Sequence, residues 1–152
     1  MSLQTDFRDL LAEFAAEGVA YLIVGGYAVA YHAEPRFTKD LDVWIDDSTG
    51  NLERVRRALE RFGAPPELLD ALADASPTDV LWMGRPPARI DLLKGVPGGV
   101  FVDAFARHVR AVWEGVPVAI VSREDLIDLK RASGRPVDLL DVVALEAMRP
   151  GS

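Results

Sequence analysis

Three aspartates and a glycine pair are the residues of this chain whose types and spacing suit chemistry. Asp40 and Asp42 lie in the run Asp40-Leu41-Asp42-Val43-Trp44-Ile45, whose alternation sets Leu41, Val43 and Ile45 on one face of a strand and Asp40, Asp42 and Trp44 on the other. Carboxylates at i and i+2 leave a strand on the same side, roughly 6.6 Å apart along the backbone, so their oxygens can converge on a hard cation such as Mg²⁺. The exposed face of an edge strand would carry the same pattern, although Trp44 beside two aspartates argues against a wholly wet face. Asp91 stands alone in the apolar run Ile90-Asp91-Leu92-Leu93. A buried carboxylate is costly unless compensated; a cation would serve, and so would a basic neighbour, Arg89 or Lys94, or exposure of that strand face. Gly25-Gly26 closes an apolar run ahead of a helix-compatible segment. Without Cβ atoms these residues let a phosphate approach backbone N–H groups at the positive end of a helix; a tight strand-to-helix turn would use the same two glycines.

The elements that must position these residues follow from periodicity and punctuation. Phe7, Leu10, Leu11 and Phe14 form a helical stripe that Gly18 ends, and residues 19–24 read as a short apolar strand. A helix over 27–33 stops at Pro35, the strand 40–45 follows, and Leu52, Val55, Leu59 and Phe62 mark a helix over 52–62 that Pro65-Pro66 breaks. Residues 67–73 allow one or two helical turns. A hairpin joins 80–83 to 88–93 through Gly84–Pro87, a glycine-rich loop covers 94–99, and a short helix covers 100–108. A second hairpin pairs 109–113 with 116–121 around Glu114-Gly115. Ser122 with Asp125 resembles a capping box for a helix running to Gly134, and Pro136 opens a last helix over 137–148 that Pro150 ends. The irregular alternation predicts an α+β domain over 1–152: a mixed sheet flanked by helices, with a helical C-terminal portion over 122–148.

Composition narrows the chemistry further. At 152 residues, 49% hydrophobic and 27% charged, the chain fits one globular domain. Its net charge of −7, from 24 acidic and 17 basic residues, provides no basic footprint for extended duplex DNA. The absence of cysteine excludes disulfides, thiolate nucleophiles and Cys-ligated metals, and two histidines all but exclude a multi-His site. No apolar stretch reaches the roughly 18 residues of a membrane span, and Met1–Asp6 has no basic start followed by an apolar run, so a soluble, cytoplasmic protein is expected.

Together, Gly25-Gly26-Tyr27-Ala28-Val29, His32, Arg36, Thr38, Asp40-Leu41-Asp42, Asp91 and the tail Leu126, Lys130, Arg135, Asp138 and Asp141 resemble the DNA polymerase beta-like nucleotidyltransferase superfamily. The likeness is to its small prokaryotic branch, which holds minimal nucleotidyltransferases and nucleotidyltransferase-like toxins of abortive-infection systems. It covers roughly Val19 to Leu145 and is most specific in the N-terminal part. The resemblance implies that Asp40, Asp42 and Asp91 hold two Mg²⁺ ions, with Mn²⁺ as a substitute, and that a nucleoside monophosphate passes from a nucleoside triphosphate to a hydroxyl of a protein, RNA or small molecule. It implies that Gly25 and Gly26 seat the triphosphate and that Arg36, Thr38 and Lys130 contact it. For these three the residues alone also allow a surface loop and a rim lysine with a packed stem. Likewise His32 reads as a capping or packing residue, Trp44, Trp82 and Trp113 as core or interface rather than base-stacking groups, and Asp138 and Asp141 as partners of Arg135 that orient the last two helices. A competing expectation keeps the fold and replaces catalysis by binding, as one half of a toxin–antitoxin pair whose partner protein is encoded nearby.

Overall fold

Six strands form one mixed sheet in the order β3-β4-β2-β1-β6-β5 in the computed structural model, which describes residues 3–35, 37–84 and 88–148. Along the chain the elements are α1 (Thr5–Glu17), β1 (Tyr21–Val24), α2 (Gly25–His32), β2 (Leu41–Ile45), α3 (Thr49–Phe62), α4 (Pro66–Asp74), β3 (Val80–Met83), β4 (Ile90–Leu93), α5 (Phe101–Ala106), β5 (Val109–Trp113), β6 (Val116–Ile120), α6 (Arg123–Ser133) and α7 (Pro136–Glu146). β1 and β2 are antiparallel; β6 joins β1 and β4 joins β2 in parallel, and the two hairpins close the edges. The fold is therefore the mixed α+β architecture that the sequence predicts.

Register decides which residues share a face. Asp42 stands opposite Val24 on β1 and Asp91 on β4, and Asp91 stands opposite Trp82 on β3. Two residues along, Leu22, Trp44, Leu93 and Val80 form the next row on that face. Trp44 is covered by α5, whose Phe101 meets it edge-on at 5.2 Å. On the opposite face Leu41, Val43, Ile45, Ile90 and Leu92 are buried in the core with Phe7, Leu10, Leu11 and Phe14 of α1. The apolar alternation read from 40–45 thus divides the strand as expected, except that Asp40 precedes the first paired residue.

Several boundaries differ for identifiable reasons. α2 begins at Gly25 itself, so the glycines form its first turn rather than a separate loop. α3 begins three residues before Leu52, because Asn51 in its first turn is buried and acts as a polar clamp. Its side chain accepts from the Ala20 amide at 2.8 Å and donates to the carbonyls of Ala20 and Asp46 at 3.0 and 2.7 Å, tying the helix to the ends of β1 and β2. α4 is a nine-residue helix with Pro66 in its first turn, where the missing N–H costs nothing. In the β5–β6 turn both Glu114 (φ 49°) and Gly115 (φ 81°) are left-handed, as a two-residue hairpin requires. Residues 85–87 of the other hairpin turn, and Pro150, lie outside the described residues.

Candidate active site

Parallel pairing of β2 with β4 sets Asp42 and Asp91 side by side at the end of the sheet where β1 runs into α2. Asp91 is buried and Asp42 half-buried. Burial, followed by the charge of Asp91 and a hydrogen bond with it and then the charge of Asp40, pushes the Asp42 carboxyl up to about 7; Lys130 pulls weakly the other way. The raised Asp42 carboxyl is a sign of negative charge packed together without enough positive charge to match.

Gly25 explains why the chain turns with a glycine here. Its φ is +68°, and a Cβ built on it would lie 2.1 Å from Asp42 Oδ2 and 2.9 Å from its Cγ. Conformation and space independently demand a residue without a side chain. The backbone at the start of α2 thus lies directly against the Asp42 carboxylate. Gly26 follows in the same turn, half-exposed.

Arg89, and not Lys94, partners Asp91. Arg89 Nη2 donates to Asp91 Oδ2 at 3.2 Å. Arg89 Nε approaches Asp91 Oδ1 to 2.8 Å as an ion pair, but its N–H is not directed at that oxygen, and Oδ1 is buried without a hydrogen bond. Lys94 turns away from Asp91: its Nζ donates to the carbonyls of Leu72, Ala73 and Ala75 at 3.1, 3.4 and 2.7 Å and caps the C-terminus of α4. Among the described residues, no three His, Asp or Glu side chains stand close enough to form a ready-made cation cage. Asp42 and Asp91 form the closely apposed pair, and Asp40, half-buried just before β2, adds its charge from the margin.

A second charged cluster borders the first. Lys130 on α6 donates to Asp141 Oδ2 at 3.0 Å and Asp138 Oδ1 at 3.4 Å, and both aspartates are buried on α7. Arg135 holds Asp138 through two bonds, at 2.7 and 3.2 Å, and keeps its carboxyl far below the usual carboxylate range. Of the two aspartates expected to partner Arg135, Asp138 is held by it, and Lys130 joins both Asp138 and Asp141. The positive charges of Lys130 and Arg135 both reach Asp42 electrostatically, so the C-terminal helices bring cations to the carboxylate pair.

The remaining expected residues sort readily. Thr38 is half-buried on the segment leading to β2, and Arg36 lies outside the described residues. His32 Nε2 bonds to the Val121 carbonyl at 2.7 Å, and burial lowers its pKa, so it is a packing residue that ties the end of α2 to β6. Trp44 and Trp113 are core residues, whereas Trp82 is 56% exposed and outside the core, and the Arg89 guanidinium sits 5.7 Å from its ring. The signal in the sequence that sets Trp82 next to Asp91 is the period-two alternation of 80–83, aligned with 90–93 by the hairpin.

No family model matches the sequence, and no curated protein matches it. Solved structures do match in fold. Lincosamide antibiotic adenylyltransferase LnuA, with lincomycin bound, superposes with a TM-score of 0.61 at 16% identity, covering 97% of this chain and 98% of LnuA. ANT(2″)-Ia in complex with adenylyl-2″-tobramycin gives 0.57 at 15% identity, over 93% of this chain and 86% of the other. A Thermotoga maritima protein proposed to be a nucleotidyltransferase gives 0.55 at 13%, over 93% and 86%. The chain has the nucleotidyltransferase fold.

Proposed function

We propose that this protein is a divalent-cation-dependent nucleotidyltransferase that moves a nucleoside monophosphate from a nucleoside triphosphate to a hydroxyl group of a small molecule. The observation that carries the reading is the Asp42–Asp91 pair, packed against the side-chain-free start of α2 and deficient in positive charge. Mg²⁺ characteristically takes one or two carboxylates and completes its shell with water and substrate phosphates, so a pair with Asp40 at its margin suits Mg²⁺ better than a closed cage would. Mn²⁺ fits the same oxygen ligands. When bound, about two such ions would neutralise charge on the reacting phosphate and on the departing pyrophosphate.

The protein's own groups have distinct parts. Asp40 and Asp42 would hold the two ions, and Asp91 would complete the site of the ion that serves the acceptor hydroxyl. Gly25 and Gly26 leave backbone open to the triphosphate, and Lys130, Arg36 and Thr38 are assigned as its side-chain contacts. The acceptor oxygen forms a bond to the α-phosphorus as the bond to the bridging oxygen breaks; pyrophosphate leaves and the hydroxyl proton passes to solvent. Positioning and electrostatics supply the rate enhancement. The likeness to two adenylyltransferases, one with lincomycin bound and one with an adenylylated tobramycin, supports a small-molecule acceptor and ATP as the first donor to test. No helix among the described residues is long and apolar enough to cross a membrane, and a nucleoside triphosphate donor suits the cytoplasm.

The test offers α-³²P-labelled ATP, CTP, GTP and UTP with Mg²⁺ to lincomycin, tobramycin and the protein itself. Labelled product with wild type and none with Asp42→Asn is expected. Absence of transfer from every nucleotide, together with no nucleotide binding by calorimetry, refutes the reading. A second reading, action through a bound partner protein in a toxin–antitoxin pair, is favoured by one observation: Val137, Leu140 and Val143 on α7 are 53%, 70% and 69% exposed. A stoichiometric partner from the native host that stays bound to Asp42→Ala would support it.

A further inference from the structure

The row of side chains beyond the carboxylates leads to a cavity. A space of about 700 Å³ lies between the loops around Pro77–Asp79 and Gly95–Pro97, walled by Trp44, Leu93, Val80 and Phe101. Trp44, Leu93 and Val80 are register neighbours, two residues along from Asp42, Asp91 and Trp82 on the same face of the sheet. The wall of the cavity and the carboxylate pair are therefore separated by roughly 7 Å of strand, within the span of one small molecule. The link is open: on edge strand β3, Val80 is 49% exposed and Trp82 56%, and together they form an apolar shelf running from the cavity to Asp91.

Volume and lining bound what fits. Sites for small ligands run to roughly 300–1,000 Å³ and are mostly apolar with a few polar groups. Here the exposed charged groups are acidic. Among the described residues, Asp47 and Asp79 border the cavity against a single cation, Lys94, whose buried ammonium is turned to the carbonyls of α4, so the rim is net negative. The Trp82 ring meanwhile receives a cation, the Arg89 guanidinium at 5.7 Å.

Building on the proposed reaction, we propose that this cavity and the Val80–Trp82 shelf form the acceptor site, and that the acceptor is a small amphiphilic amine. Its apolar body would lie against Leu93, Val80 and Phe101, its ammonium at the Asp47–Asp79 rim, and its hydroxyl beyond Trp82 at Asp91. A macromolecular acceptor does not suit a recess of this size lined in this way.

Two fragments of equal size and opposite charge, phenethylamine and phenylacetate, test the site without knowledge of the natural acceptor. Each is titrated into ¹⁵N-labelled protein and followed by backbone amide shifts, alone and with Mg²⁺ and α,β-methylene-ATP present. Phenethylamine is expected to give saturable shifts centred on Val80–Trp82 and Gly95–Val96, with phenylacetate at least fivefold weaker. Val80→Lys should weaken phenethylamine at least fivefold, and Val112→Lys, at an exposed position on the far edge strand, should not. The nucleotide should leave phenethylamine affinity unchanged or improve it. Shifts centred elsewhere, no saturable shift, no charge preference, an unaffected Val80→Lys, or competition with the nucleotide would each overturn the proposal; competition would make the cavity the seat of the base. Calorimetry with Mg²⁺ and the nucleotide separates the two levels. Nucleotide binding without fragment binding removes the acceptor site and leaves the reaction, whereas loss of nucleotide binding removes the reaction itself.

Discussion

Gly25→Ala separates a glycine needed for the fold from one needed for the site, because the chain supplies its own control. Gly18 and Gly25 share the same φ of +68°, but a Cβ on Gly18 meets nothing within 4 Å, whereas one on Gly25 would lie 2.1 Å from Asp42 Oδ2. The left-handed conformation costs an alanine about 1–2 kcal/mol, partly offset by the stiffer unfolded chain. Gly18→Ala is therefore expected to lose about 1 kcal/mol in urea denaturation and to bind nucleotide as wild type does. Gly25→Ala carries the same backbone cost. In addition, the Asp42 carboxylate must move by about 1 Å or more to restore ordinary contact, and a displacement of that size at reacting groups costs about a hundredfold in rate. Transfer of labelled AMP and calorimetric binding of Mg²⁺ with α,β-methylene-ATP both report it. If Gly25→Ala matches Gly18→Ala in stability and retains full nucleotide binding and transfer, the close approach of Gly25 to Asp42 has no functional meaning and the reasoning is refuted.

Three further outcomes follow from the same geometry. The folded-state pKa of Asp42, about 7, exceeds the 3.8 expected when unfolded, so the metal-free folded chain holds the extra proton. Its contribution to stability is greatest below about pH 4 and is lost as pH rises to about 7. Thermal midpoints of wild type minus Asp42→Asn should fall across that window without cation, and Mg²⁺ with nucleotide should reverse the fall. Asp138 behaves oppositely, since Arg135 depresses its pKa: its contribution is present above about pH 4 and is lost on acidification, and Asp138→Asn should destabilise at pH 7 by about 2 kcal/mol through loss of charge-assisted hydrogen bonds to Arg135. Lys94→Met should cost about 2 kcal/mol in urea denaturation by leaving the α4 carbonyls uncapped, with nucleotide binding unchanged.

Local rules made most of the scaffold legible. Alternation placed Asp42 and Trp44 on one face, glycine and proline punctuation set the helices and hairpins, and the spacing of Arg135 and Asp138 anticipated their ion pair. Long-range pairing was not legible. The opposition of Asp42 to Asp91 depends on the register of two parallel strands about fifty residues apart, which no local pattern encodes. For the same reason the partner of Asp91 remained a choice between Arg89 and Lys94. Lys94 goes to the carbonyls at the end of α4, a contact between segments about twenty residues apart that no local pattern encodes. Asn51 concealed the start of α3 because a buried polar clamp sits where the helical pattern asks for an apolar residue. Between core and interface Trp82 stayed open, because its place on an edge strand depends on the strand order, which no local pattern encodes.

Mn²⁺ binding followed by electron paramagnetic resonance, with α,β-methylene-ATP present, tests most directly that Asp42 and Asp91 hold the cations of a nucleotidyltransferase. Wild type is expected to immobilise about two Mn²⁺ per chain. Asp91→Asn should retain only the ion that travels with the triphosphate, and Asp42→Asn should bind neither ion tightly. Equal Mn²⁺ occupancy in wild type and both variants, or nucleotide binding that persists unchanged in excess chelator, would contradict it.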